Sequence, residues 1–326
     1  MTILAPGLDL TSLRQRFAVG SESSPLHALR GGSEALSGAY HGACRLEGDV
    51  TLAAAELSQP AVVAGPAGEP LLEVHGSRKR VTLRGLVFRD ARCARGALAV
   101  LGSVNRVTIQ DCVFFDDEHD DPRPGAGAIS IQSGFLKLER CLFWGNTGQT
   151  GGAIALREGS RLVAENCLFV ANRGVEGGGA LWIEGTSSAK LTGCTFVANL
   201  SEDELAGQSI HAGGTIYDKG SAKLINCVLL DHGNTFGHPE VTGGEIEATA
   251  SLLPPQAQDY PPLRADESCA FRVADFPEPG FPFALPTDQQ LSPAALESEP
   301  KPGSFFGAPV AWSAGGVGAV AAGGAS

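Results

Sequence analysis

Basic residues are scarce in this sequence: 24 Lys and Arg stand against 36 Asp and Glu, a formal charge of −12 at pH 7. An acidic shell of that size argues against nucleic acid as the main partner, because a phosphate backbone is held by clustered cations. The one dense basic run, Arg78-Lys79-Arg80, precedes an apolar stretch and reads as a solvated turn. Long apolar runs are missing too, so no membrane span is expected. The opening MTILAPGLDLTSLRQRF has no basic stretch followed by a long apolar one, which by itself points to the cytoplasm. Aromatic residues make up 6% of the chain, with only 3 Trp and 3 Tyr. Motifs of the CxxC, HExxH and GxSxG types, phosphate-binding Gly loops and dinucleotide fingerprints do not occur, so no familiar zinc, serine-hydrolase or nucleotide chemistry announces itself.

What the chain does have is glycine, 43 residues in 326, and a 43% hydrophobic share that excludes a disordered polymer. The glycines mark a repeat. Aligned on cysteine, the segments DCVFFDD, RCLFWGN, NCLFVAN, GCTFVAN and NCVLLDH begin at Asp111, Arg140, Asn166, Gly193 and Asn226, and GLVFRDA at Gly85 fills the same frame with Leu86 in the cysteine place. The steps are 26, 29, 26, 27 and 33 residues. A second ladder precedes the cysteines: GAGAISI, GGAIALR, GGALWIE and GGTIYDK. A third short apolar run lies between them, as in NRVTIQD and SRLVAEN.

A period in the twenties with three short strands gives a unit that cannot bury its own core and must stack on its neighbours. The leucine-rich repeat has a similar period, but its dense Leu/Asn consensus is missing. The expected fold is therefore all-β: a single-stranded right-handed parallel β-helix, one coil per repeat of about 26 residues, with coils about 4.8 Å apart. Stacking then places Cys112, Cys141, Cys167, Cys194 and Cys227 in one inward file. Phe114, Phe143, Phe169 and Phe196, with Phe88 before them, form a second file two residues on, on the same strand face. Asn146, Asn172 and Asn199, five residues after the cysteine, become a turn ladder. The file cysteines read as free, buried thiols, since in-register strands suit disulfide geometry poorly. Cys44, Cys93 and Cys269 stand outside the file.

The boundaries expected are a cap over 1–35, the β-helix over 36–250, and a Pro/Phe-rich segment over 251–326 that packs on the solenoid and ends in a Gly/Ala-rich tail. In the cap, Leu10, Leu13 and Phe17 recur at helical spacing, as a short amphipathic helix plugging the open end would require.

The pair GGAIALREGSRLVAENCLFVAN and GGALWIEGTSSAKLTGCTFVAN resembles the right-handed parallel β-helix repeat proteins of the pectate-lyase-like superfamily, close to the polymorphic outer-membrane-protein style of repeat. The resemblance covers roughly 10–320. It is specific for fold and weak for function. It implies polysaccharide lyases and hydrolases, tail-spikes, adhesins and surface proteins as company, and an extracellular or cell-surface location.

Carbohydrate chemistry on such a scaffold needs outward acids from neighbouring coils. Candidate catalytic residues are Asp116, Asp117 and Glu118 in FFDDEHDDPRPGAG, and Glu202 and Asp203 in LSEDELAGQSIHAGG three coils on. Asp120, Asp121, Arg123, Glu204 and His211 are candidate binding residues in the same loops. A Ca²⁺ ion at Asp116, Asp117 and Asp120 is conceivable, although the string lacks the Gly-centred geometry of a calcium loop; no other cofactor is expected. His232 and His238 near Asp231 and Glu240 read as a polar turn. Of Leu181 and Trp182, one must face solvent, which makes Trp182 a weak sugar-stacking candidate. The leading expectation is a non-enzymatic rigid structural or binding module whose partner is a protein assembly or a polysaccharide. A lyase or hydrolase using the acidic loops is one alternative. The other is a tail-spike or adhesin subunit that oligomerises through an apolar lateral face or the C-terminal segment.

Overall fold

A computed structural model describes residues 14–15, 17–19, 23–65, 68–201, 216–230, 241–253, 263–271, 303–305 and 308–310. The chain winds as a parallel β-solenoid with three strands per coil, as the repeat predicts. Sheet I stacks Cys44–Leu46, Leu72–Val74, Leu98–Val100, Ile129–Gln132, Ile154–Arg157 and Leu181–Ile183. Sheet II stacks Gly32–Leu36, Val50–Ala54, Arg80–Arg84, Arg106–Gln110, Phe135–Glu139, Arg161–Glu165 and Ser188–Thr192. The long strand Ile216–Ile225 joins both. Sheet III has eleven strands, from Ser24–Pro25 through Val113–Phe115, Leu142–Trp144, Leu168–Val170 and Thr195–Val197 to Ala270–Phe271.

Register is kept residue for residue: Phe88 pairs with Phe114, Phe114 with Phe143, Phe143 with Phe169 and Phe169 with Phe196. Their rings stack with centroids 4.6, 5.1, 4.9 and 4.6 Å apart, close to the strand spacing itself. The five file cysteines are fully buried beside them, and all eight thiols of the chain are free. Between sheets II and III the chain turns in one left-handed residue just before the cysteine position: Gly85, Asp111, Arg140, Asn166, Gly193 and Asn226 have φ between 52° and 66°. Gly, Asn and Asp take that conformation at little cost. Arg140 takes it with its guanidinium bound to Asp111 of the preceding corner at 2.8 and 3.0 Å.

Pairing extends past both boundaries expected from the sequence. It starts at Ser24 and runs on through Leu252–Leu253, Leu263–Ala265 and Ala270–Phe271, where the repeat spelling has faded but the strand spacing persists. The expected capping helix, Leu8 to Val19, lies mostly outside the described residues. Of the part that is described, Phe17 packs on Phe115, four strand steps along sheet III from the first strand.

Candidate functional site

The corner after sheet III carries most of the acids singled out from the sequence, and the structure disperses them. Asp116 takes φ 58° and pairs with Arg14. Glu118 lies 3.7 Å from Arg92. Asp120 is exposed. Asp121 forms a two-pronged pair with Arg123, whose Nε and Nη2 donate at 2.8 and 2.7 Å, and this holds the Asp121 carboxyl well below the usual carboxylate range. Glu202, Asp203, Glu204 and His211 lie outside the described residues, as do His232 and His238. Among the described residues, no group of three or more His, Cys, Asp and Glu side chains is arranged to hold a metal ion.

Asp117 requires a correction. It is no loop acid: it stands five residues after Cys112 and forms the first rung of the asparagine ladder. The Oδ1 of each rung accepts the N–H one coil back: Ala91 to Asp117 at 3.0 Å, Asp117 to Asn146 at 3.1 Å, Asn146 to Asn172 at 3.1 Å and Asn172 to Asn199 at 3.0 Å. Each asparagine Nδ2 donates to a phenylalanine carbonyl one coil back, Phe114, Phe143 or Phe169, at 3.0–3.1 Å. In the Asp117 rung that place falls by register to Oδ2, which is buried and has no hydrogen-bond partner. Burial pushes the Asp117 carboxyl well above the usual range, against the bond from Ala91. His119, two residues on, is also buried, and both ring nitrogens lack a partner. Burial lowers its pKa, favouring the neutral ring. Gly125 lies against this ring: a Cβ there would stand 2.1 Å from Nε2, so the imidazole forms the floor beneath the loop that carries Arg123.

That loop borders sheet I, where two adjoining clefts share Ala94, Arg95 and Arg123. The larger, about 470 Å³, is lined by Arg45, Arg95 and Arg123 but also by Glu47, Glu69 and Glu73. Glu73 neutralises Arg45 at 3.3 Å and Arg95 at 3.1 Å. The smaller, about 250 Å³, has Arg95, Arg123 and Arg157 on its walls with Ser130, Gln132, Leu101 and Pro124, and no carboxylate in its lining. Arg157 is held there through Nη1, which donates to the Pro124 carbonyl at 3.1 Å. On the outer face of sheet I, Ser130, Ala155 and Trp182 stand in one file. Trp182 is half-buried while Leu181 points inward, as strand alternation requires. With Arg95 paired to Glu73 and Arg123 to Asp121, Arg157 gives this cleft its net positive charge, and beside hydroxyl and amide groups, one edge two coils from an indole, it suits a polar anionic ligand.

Sequence reasoning found Arg123 and missed Arg45, Arg95 and Arg157. Arg157 had a signal: in GGAIALR it follows inward Leu156, so alternation turns it outward.

A family model described as "Right handed beta helix region" matches residues 72–249. No curated protein matches the chain. Among solved structures, the crystal structure of pectate lyase Pel9A is similar at 13% identity and a TM-score of 0.37, over 78% of this chain and 69% of that one.

Proposed function

Because the chain belongs to the right-handed β-helix family, a membership that fixes a fold and no activity, we propose that it is a rigid binding module whose sheet I cleft holds an acidic polysaccharide. The observation that carries this is Arg157 in the 250 Å³ cleft, held by the Pro124 carbonyl beside Arg95 and Arg123, whose carboxylate partners Glu73 and Asp121 stand outside the lining. Guanidinium groups suit carboxylate ligands because their planar donors match two oxygens at once. Trp182, on the same outer face, offers a ring on which a sugar stacks. Binding is favoured over cleavage because Asp117 is committed to the ladder, Asp116 to Arg14 and Asp121 to Arg123.

The test is calorimetric titration of the full chain with polygalacturonate and with a neutral glucan, with product formation followed in the same samples. Tight binding of the uronate alone is expected. Arg157→Ala should weaken it about tenfold, as loss of one charge-assisted contact does, and leave the melting temperature within a few degrees. Equal affinity for the neutral glucan sinks the anionic reading, and new reducing ends or unsaturated products make the protein an enzyme.

A further inference from the structure

The outer face of sheet II carries a groove of about 470 Å³ that runs from Phe135 and Arg161 to Glu245 and Glu247. Strand alternation turns Leu136, Leu162 and Ala189 into the core, so the residues on either side of each face outward. From Arg80–Arg84 to Ser188–Thr192 the outward places hold Arg, Lys, Glu, Gln, Ser or Thr, save two. The exceptions are Phe135 and Val163, both half-buried and both in the lining of the groove.

Their neighbours along the solenoid axis are cations. Register sets Arg106 one coil before Phe135 and Arg161 one coil after it. It sets Lys137 one coil before Val163 and Lys190 one coil after it. Each apolar side chain thus lies between two basic ones, a strand spacing of about 4.8 Å to either side. Lys137 is paired with Glu139, whereas Arg106, Arg161 and Lys190 are exposed and form no ion pair among the described residues. The two carboxylates in the lining are already held: Glu247 lies 3.1 Å from Lys223 Nζ, and Glu245 lies 2.9 Å from Arg264 Nη1. Glu139 and Glu165, two residues further along their strands, stand outside the lining. Arg161 and Lys190 therefore leave the groove net positive.

This pattern selects the partner. A cation–apolar–cation spacing asks for a ligand with an apolar group between negative charges. Uronic and sulfated sugars bring the charges without an apolar side group, and Val163 offers no flat face for a ring to stack on. A bilayer needs apolar side chains that project, and the exposed large hydrophobics among the described residues, Val104 and Val175, lie outside the groove. A polypeptide in which Asp or Glu flanks aromatic or aliphatic residues meets both demands: its apolar side chain is the buried anchor, and its carboxylates close on the rim.

We infer that the outer face of sheet II is a docking surface for an acidic polypeptide segment. Phe135 and Val163 form the floor that takes its apolar side chain, and Arg106, Arg161 and Lys190 hold its carboxylates. The surface lies on a different sheet from the Arg157 cleft and takes a ligand of another class.

The test titrates the full chain into dye-labelled poly-L-glutamate and a dye-labelled random Glu/Tyr copolymer of the same length, read by fluorescence polarisation. The copolymer should bind about tenfold tighter, the effect of one well-seated aromatic anchor. Arg161→Glu with Lys190→Glu should weaken both polymers by about tenfold or more. Phe135→Thr with Val163→Thr, which keeps β-formers in both places, should remove the preference for the copolymer and leave poly-L-glutamate binding as it was. Arg157→Ala, in the sheet I cleft, should change none of these values, so failure of the polysaccharide reading leaves this one standing. Absence of binding, or equal affinity of the parent for the two polymers, overturns the inference. So does a charge-reversed pair that binds like the parent. Sedimentation of the parent addresses the remaining occupant: a dimer that the charge-reversed pair dissociates would give the groove to a second copy and overturn the acidic segment.

Discussion

Asp117 is the residue at which composition and position disagree. Its place calls for an amide that accepts with one atom and donates with the other, as Asn146 does toward Asp117 N–H and the Phe114 carbonyl. An ionised carboxylate can only accept, and its second oxygen is buried without a donor. Protonation restores the donor, and burial shifts the group that way. The folded pKa is raised above the unfolded one, so the neutral rung's contribution is fully present below the ordinary carboxylate pKa. It is lost as pH rises through the folded value. Asp117→Asn supplies a permanent donor of the same shape. We expect this variant to match the parent near pH 4 and to exceed it at pH 8 by roughly 1–3 kcal/mol, the usual cost of an unsatisfied buried polar group. Denaturant melts of both proteins across that range check it. A variant less stable than the parent at pH 8 would show that the charge itself is wanted there.

At the scale of the coil, the turn ladder and the phenylalanine stack act on one another. Asn172 accepts from the Asn146 backbone and side chain and donates to the Phe143 carbonyl, so one side chain ties its own coil to the corner of the coil before it. Asn172→Ala leaves the Asn146 N–H and the Phe143 carbonyl buried and unpaired, for a loss of about 3 kcal/mol or more. Equilibrium unfolding measures it, and a loss below about 1 kcal/mol would reassign the ladder to surface decoration. These coils were legible in the sequence because cysteine, phenylalanine and asparagine keep fixed offsets of 2 and 5 residues in the repeats of Cys141, Cys167 and Cys194. The same offset placed Asp117 in the ladder, but the string DDEHDD reads as a hydrophilic loop when composition is given precedence over register. The runs VFF, LFW and LFV show no polar alternation, the mark of strands buried on both faces. That signal marks the middle of sheet III as buried on both sides, as the structure has it. The arginine cleft was not legible. Arg95 and Arg123 enter from turns and Arg157 from a strand end, at spacings of 28 and 34 residues that no repeat prescribes.

For the whole molecule, the proposed site sets a local positive cleft inside a strongly negative envelope, and salt separates the two. At about 0.01 M salt the screening length is about 30 Å, and an approaching polyuronate feels most of the chain's charge of −12 as repulsion. At about 0.1 M the length falls to about 10 Å, which hides distant carboxylates but leaves the contact to Arg157 in the cleft largely intact. Toward about 1 M it drops to about 3 Å, and the contacts themselves weaken. Affinity should therefore pass through a maximum near 0.1 M instead of falling steadily, as it does for a uniformly basic surface. Arg157→Ala should flatten the high-salt limb, because that limb reports contacts in the cleft, and leave the low-salt limb, which reports the envelope. A titration series over this range in parent and variant decides the matter. Affinity that rises with salt without limit would mean that the ligand is held by apolar contact, and the cleft arginines would lose their assigned part.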